Sequence, residues 1–243
     1  MRENIKQLDI LILAGGLGSR LKGVISGIPK PMAPVNGKPF LDHLLEYWIN
    51  KGVASITLSV GYLSEIIINN YGNKFKGCPI RYLKEESPLG TGGAILKYFY
   101  EVKPNSPFIV ANGDTVFPVS INELMAFHKR SNSSLTMAVF RSCNTNRYSG
   151  INCSSEGRIL RFGEEIISTN NATDMLCNGG TYIIEHHLIE IWKEFLGRKV
   201  SLETELISHL IDKNISCYAY AFENKFLDIG IPSDYERAAS FIN

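Results

Sequence analysis

The sequence predicts an α/β fold, a doubly wound and mostly parallel sheet with a small added β lid. Three observations predict it. Short runs rich in Ile, Leu and Val alternate with helix-like segments through the first half of the 243-residue chain. The first run, residues 10–13, leads into a glycine-rich turn, Gly15-Gly16-Leu17-Gly18. A stretch rich in Asn, Ser and Thr, residues 143–173, then breaks the pattern with only short strand-like pieces.

In chain order, strands are expected at residues 10–13, 55–60, 80–83 and 108–111. A parallel strand is covered on both faces, so it reads as a continuous apolar run rather than an alternation. Helices are expected between them at 40–50, 64–71 and 92–100. A helix at 121–129 and a strand at 135–140 follow. Short strands at 150–153 and 158–162 would form the lid. The last part reads as a strand at 177–184, helices at 188–195 and 203–212, a strand at 216–222, and a closing helix. That helix begins with Ser233-Asp234-Tyr235-Glu236 after Pro232, the pattern of a capping box. No repeat and no low-complexity linker divides the chain, so one domain spanning residues 1–243 is expected.

Composition narrows the function classes. A hydrophobic content of 44% with 20% charged residues is ordinary for a soluble globular protein. A net charge of +1 offers no bulk surface to nucleic acid or to a membrane. No signal-peptide core follows Met1, and the apolar run at 10–14 is far too short to span a bilayer. Five widely spaced cysteines without a Cys-x-x-Cys suit reduced thiols, and hence a cytoplasmic location. The five histidines show no ligand spacing.

The glycine turn is suited to a polyphosphate. Gly15, Gly16 and Gly18 carry no Cβ, so backbone N–H groups can approach anionic oxygens closely. Arg20 adds a planar charged fork, and Lys30, between Pro29 and Pro31, a point charge. The turn is not a dinucleotide fingerprint, because Leu21 stands where the third glycine belongs and Asn36 where the ribose-binding acid belongs. Nor is it a Walker A loop, since no Gly-Lys-Ser/Thr follows. Two acids suit a metal. Asp114, in Asn112-Gly113-Asp114, follows a strand end, where ligands bind in open α/β sheets. Asp228, in Phe226-Leu227-Asp228-Ile229-Gly230, also follows a short apolar run. Mg²⁺ takes one or two carboxylates together with waters and substrate phosphates.

Leu-Ala-Gly-Gly-x-Gly-x-Arg-Leu followed by Pro-Lys-Pro resembles the sugar-1-phosphate nucleotidyltransferases. The resemblance implies a Rossmann-like, GT-A-like fold, with a nucleotide-binding half at about 1–115 and a sugar-binding half at about 116–243. It makes Arg20, Lys30 and Asp114 catalytic, and Asp114 and Asp228 the Mg²⁺ ligands. Leu13, Gly15, Gly16 and Gly18 would bind the nucleotide. The segment Glu85-Glu86-Ser87-Pro88-Leu89-Gly90-Thr91-Gly92-Gly93 resembles the family's nucleobase loop, which adds Glu85, Gly90 and Thr91. A carboxylate at Glu85 has only acceptors, which suit the two adjacent donors of guanine better than the single donor of uracil or thymine. Glu85 turned to solvent, like Glu86, is the competing reading. Asn178-Gly179-Gly180-Thr181-Tyr182 resembles the family's sugar-lining strand, and Phe162-Gly163-Glu164 its sugar-hydroxyl acid. Asn178, Gly179 and Glu164 are therefore the expected sugar contacts. The family's phosphate-binding Lys after that acid is replaced here by Glu165.

These motifs, with Ser-Leu-Glu-Thr-Glu and Asp-Ile-Gly-Ile-Pro, look most like the bacterial D-glycero-α-D-manno-heptose 1-phosphate guanylyltransferases. The resemblance implies GTP and a sugar 1-phosphate as partners, GDP-heptose for capsule or lipopolysaccharide as product, and leaves a homo-oligomer open. It includes no appended β-helix of the kind some relatives carry. A uridylyl-, thymidylyl- or cytidylyltransferase, or a non-catalytic sugar-nucleotide-binding subunit, are the alternatives.

Overall fold

A computed structural model describes residues 8–16, 18, 27–142, 148, 150–162 and 175–242. The chain packs as two units. The first comprises residues 1–88, 108–116 and 227–243, and the second residues 89–107 and 117–226.

In the first unit four strands run parallel. Asp9–Leu13 pairs on one side with Phe108–Asn112 and on the other with Ser55–Val60, which pairs in turn with Cys78–Lys84. Ile10, Leu11, Ile12, Ile56, Leu58, Ile109 and Val110 are buried, as expected for strands covered on both faces. The register aligns Leu13 with Ser59 and with Asn112, so these strands end together along one edge. Two of these strand ends, at Gly61 and Gly113, meet a glycine that lets backbones touch. A Cβ at Gly113 would come within 2.7 Å of the Leu13 carbonyl, and one at Gly61 within 2.9 Å of the Gly15 carbonyl.

Helix Phe40–Asn50 buries Phe40, Leu41, Leu44, Leu45 and Trp48, the stripe expected of one helix face. Helix Ser64–Tyr71 stops at Gly72. The closing helix spans Pro232–Phe241, and its start differs from the expectation. Pro232 stands at the first helical turn and the N-cap is Ile231, with no side-chain cap. Proline supplies a preset φ and lacks only an N–H that would have no intrahelical partner, so Ser233 is already inside the helix. A two-strand ladder joins Leu227–Asp228 to Thr115–Val116 and sets Asp228 opposite Thr115.

In the second unit Leu135–Ser142 pairs antiparallel with Met175–Ile184 and parallel with Cys217–Ala221. The two short strands expected mid-chain, Gly150–Cys153 and Ile159–Phe162, extend the sheet beyond Met175–Ile184. Met175–Ile184 is irregular at its centre. Asn178 pairs with Val139 but Thr181 with Ala138, so Gly179 and Gly180 bulge out of the ladder. Both glycines are required there. Gly180 has φ +68°, and a Cβ at Gly179 would collide with the Phe117 ring. That ring belongs to an aromatic cluster in which Phe140 and Phe226 stack at 4.3 Å.

Helix Gly90–Val102 begins two residues earlier than expected. Its first amides are held by the chain itself. Gly92 and Gly93 N–H donate to the Val200 carbonyl at 2.9 and 3.2 Å. The expected helix at 203–212 is a wide turn over Leu202–Ile207 followed by Ser208–Asp212. Leu206 N–H reaches back five residues to Ser201. Such wide turns cluster at functional positions.

Helix Ile121–Arg130 is capped by Ser120, carries Glu123 in its first turn and ends on His128, Lys129 and Arg130, so its charges oppose the dipole. His128 is buried, with Nδ1 2.7 Å from Thr136 Oγ1 and Nε2 3.2 Å from Glu185 Oε1. Burial lowers its pKa, against the raising effect of Glu185; His187 and Lys129 lower it further. A histidine depressed in the folded state binds its proton more readily in the unfolded chain. The stability it lends is therefore full above the unfolded pKa of about 6.5 and is lost as pH falls below it. Thermal midpoints should drop between pH 7 and 5, and His128→Gln should flatten that slope. An unchanged slope in the variant would assign the acid sensitivity elsewhere.

Candidate active site

The first unit gathers its chemistry where the parallel strands end. Gly15 and Gly16 follow Leu13, Gly61 follows Val60, Glu85 follows Lys84, and Asp114 follows Asn112 and Gly113. Glu85 does not share the exposure of Glu86. Its Oε1 accepts from Ser59 Oγ at 2.8 Å, and a Cβ at Gly15 would come within 2.6 Å of the same oxygen. Glycine at 15 thus makes room for the carboxylate. Gly18, with φ +60°, packs on the Lys30 stem, 3.1 Å from where its Cβ would lie.

Lys30 heads a short turn, Lys30–Met32, after Pro29, and it is buried, with 9% of its surface exposed. Its ammonium donates to Asp114 Oδ2 at 2.5 Å and to Asp228 Oδ1 at 3.5 Å. A buried ammonium needs paired charge, and these two carboxylates supply it. Asp228 is braced from behind, since its Oδ1 also accepts from Gly230 N–H at 2.6 Å. Ile229 N–H donates to the Asp114 carbonyl, which ties the two acid-bearing turns together.

The donor set fits a hard divalent cation. Two carboxylates converge on one point, and a cation, the Lys30 ammonium, already stands there. Among the described residues no group of three or more His, Cys, Asp and Glu forms a metal cage. Two carboxylates suit an ion that takes its remaining ligands from water and phosphate.

The second unit holds a polar network. Asn178 Oδ1 accepts from Gly180 N–H at 2.8 Å, and its Nδ2 donates to the Tyr182 hydroxyl at 2.6 Å. Tyr182 donates to Glu203 Oε1 at 2.9 Å. Glu203 Oε2 accepts from Thr91 Oγ1 at 2.8 Å and Ser201 Oγ at 3.1 Å. Burial, and then the charge of Glu203, push the Tyr182 hydroxyl well above the ordinary tyrosine range.

Lys30, Asp114 and Asp228 are therefore brought together, and Gly15 and Glu85 meet beside the same sheet edge. The Thr91 side chain is engaged within the second unit. Its one hydroxyl proton is directed to Glu203, and its oxygen receives the Leu202 N–H at 2.9 Å. Gly90 has φ +75°, and its Cβ position faces the Val200 carbonyl at 2.5 Å, so packing alone demands glycine there. Arg20, Glu164 and Glu165 lie outside the described residues. Sequence reading quoted Tyr182 and Glu203 inside motifs without giving either a role of its own, and it missed Ser59. Ser59 gave no distinctive signal, because Ser55 and Thr57 alternate with apolar residues in the same strand, Ser55–Val60.

A glycine-lined sheet edge with two carboxylates around a lysine defines a class of phosphate-handling enzyme. The chain belongs to the nucleotidyl transferase family, which it matches over residues 10–243. It is similar to two D-glycero-α-D-manno-heptose 1-phosphate guanylyltransferases. That of Aneurinibacillus thermoaerophilus is 36% identical over 95% of this chain and 96% of its own length. That of Campylobacter jejuni is 36% identical over 94% of this chain and 97% of its own length. The crystal structure of HddC from Yersinia pseudotuberculosis, also solved with GMP-PN, is 32% identical. It superimposes with a TM-score of 0.80 over 97% of this chain and 100% of that one.

Proposed function

We propose that this chain is a Mg²⁺-dependent guanylyltransferase that joins GTP to D-glycero-α-D-manno-heptose 1-phosphate, giving GDP-heptose and pyrophosphate. The observation that carries the reading is the convergence of Lys30, Asp114 and Asp228, with Gly18 packed on the Lys30 stem. The relatives named above support the sugar and the base. We assign nucleotide binding to about residues 1–115 and sugar binding to about 116–243. The setting is the cytoplasm, where GTP is made; no helix among the described residues is long and apolar enough to cross a membrane.

In the reaction an oxygen of the sugar phosphate attacks the α-phosphorus in line. A new P–O bond forms, the bond to the bridging oxygen breaks, and pyrophosphate leaves with that electron pair. The nucleophile is already anionic, so no general base is required. Positioning and charge neutralisation do the rest. Asp114 and Asp228 would hold Mg²⁺, which neutralises the phosphate charge when bound. Lys30, with three donors on a buried stem, can turn from a carboxylate to a phosphate oxygen. Arg20 would grip the leaving phosphates, and Asn178, Gly179 and Glu164 the sugar.

The test is pyrophosphate release from four NTPs against several sugar 1-phosphates, with and without EDTA. Greatest kcat/KM for GTP with the heptose phosphate, abolished by EDTA, is the expected result. Preference for UTP, dTTP or CTP would make it another transferase of the family. Turnover with no pair would make it a non-catalytic binding subunit.

Base choice has its own expected result. Glu85→Gln should reduce the ratio of kcat/KM for GTP to that for UTP by at least about tenfold. A carboxylate can receive both N1–H and the 2-amino group of guanine, whereas an amide sets a donor against one of them. Against uracil the carboxylate opposes acceptor to acceptor, which rejects the wrong base. A ratio that stays put would leave guanine to be read by other groups, such as the backbone near Leu13.

A further inference from the structure

We propose that Glu203 is a positioning residue for the acceptor sugar, acting through Tyr182 to fix which way the Asn178 amide faces. The inference rests on the reading of Asn178 as a sugar contact.

The direction of each hydrogen bond carries the argument. Three hydroxyls converge on Glu203, from Tyr182, Thr91 and Ser201. Only a carboxylate can accept from all three, because an ionised acid has acceptors and no donor. Tyr182 has one proton, and Glu203 takes it. The Tyr182 oxygen can then offer Asn178 only a lone pair, and it receives the Nδ2 N–H. At the other end Gly180 N–H, a fixed donor in the bulge, holds Asn178 Oδ1. The amide is thereby oriented from both sides. One Nδ2 proton and one Oδ1 lone pair remain for a ligand, each in a set place.

Tyr182 is buried and cannot reach the ligand in place of Asn178. The network spans separate elements. Thr91 lies near the start of helix Gly90–Val102, Asn178 and Tyr182 on strand Met175–Ile184, and Glu203 on the wide turn. Glu203 therefore also anchors the loop expected to meet the base. A loss confined to the acceptor side separates the relay from that anchoring role.

The experiment is a double-mutant cycle on the substrate pair that the wild type turns over best. Glu203→Gln and Tyr182→Phe should each raise KM for the sugar 1-phosphate by about tenfold, the scale of one lost charge-assisted hydrogen bond. KM for the nucleotide and kcat should stay within about threefold. The double variant should be no worse than the worse single variant, because both changes cut one chain. An unchanged acceptor KM in Tyr182→Phe, multiplying effects in the double variant, or equal rises in both KM values would overturn the relay. Tyr182→Phe keeps the buried ring, so it decides the matter even if Glu203→Gln fails to fold. Wild-type turnover with unaltered acceptor KM in the variants defeats this inference alone. No wild-type turnover with any pair defeats the proposed function, and this inference with it.

Discussion

Asp114→Ala and Asp228→Ala should each lower kcat by at least about a hundredfold, with both proteins still folded. Both carboxylates meet at the Lys30 ammonium, 2.5 and 3.5 Å away, and each is partly open to solvent. A divalent ion held there would stand against the phosphate that gains charge in the transition state. Losing one of two protein ligands weakens the hold on the ion and misplaces it. Asn at either position keeps the shape and removes the charge, so the Asn variants should be nearly as slow. Raising Mg²⁺ should restore part of the rate. Turnover within about threefold of wild type, roughly 0.7 kcal/mol, would show that the residue is not a metal ligand.

Lys30→Met should lower kcat/KM by about ten- to a hundredfold, the scale of one charge-assisted hydrogen bond to phosphate. Methionine fills the volume of the buried stem, so the loss reports the charge rather than a cavity. Lys30→Arg should not rescue it. The planar fork is wider than an ammonium and needs a different approach to its partners, and Gly18 already packs on the stem. Near-normal kinetics in Lys30→Met would remove this lysine from the chemistry.

Much of the scaffold was legible because parallel strands announce themselves. Ser55–Val60 appears where it was expected, although its Ile56, Leu58 and Val60 alternate with small polar residues, of which Thr57 and Ser59 are buried as well. Cys78–Lys84 is longer than its apolar centre suggests, because Pro79, Arg81 and Lys84 are exposed and break the run without ending the strand. The closing helix misled in a different way, since Ser233 carries the letters of a cap while Pro232 takes the first turn. At the site, single residues were legible and their meetings were not. Lys30 is 84 residues from Asp114 and 198 from Asp228, and no local pattern encodes that encounter. Thr91 is expected as a nucleotide contact from the letters of its loop, and its hydrogen bond within the fold is a separate matter. Its partner Glu203 is 112 residues away, so the commitment of its proton could not be seen in sequence.

The lysine between the two aspartates bears on how the protein can be handled. Clustered carboxylates that rely on a bound ion repel one another when it is stripped, and such proteins soften in chelators. Here a tethered cation is built into the chain, and burial keeps it in place. The protein should be metal-dependent in turnover yet indifferent to metal in folding. It can then be purified and stored in EDTA and switched on by adding the ion, with inactive and unfolded remaining separate conditions throughout.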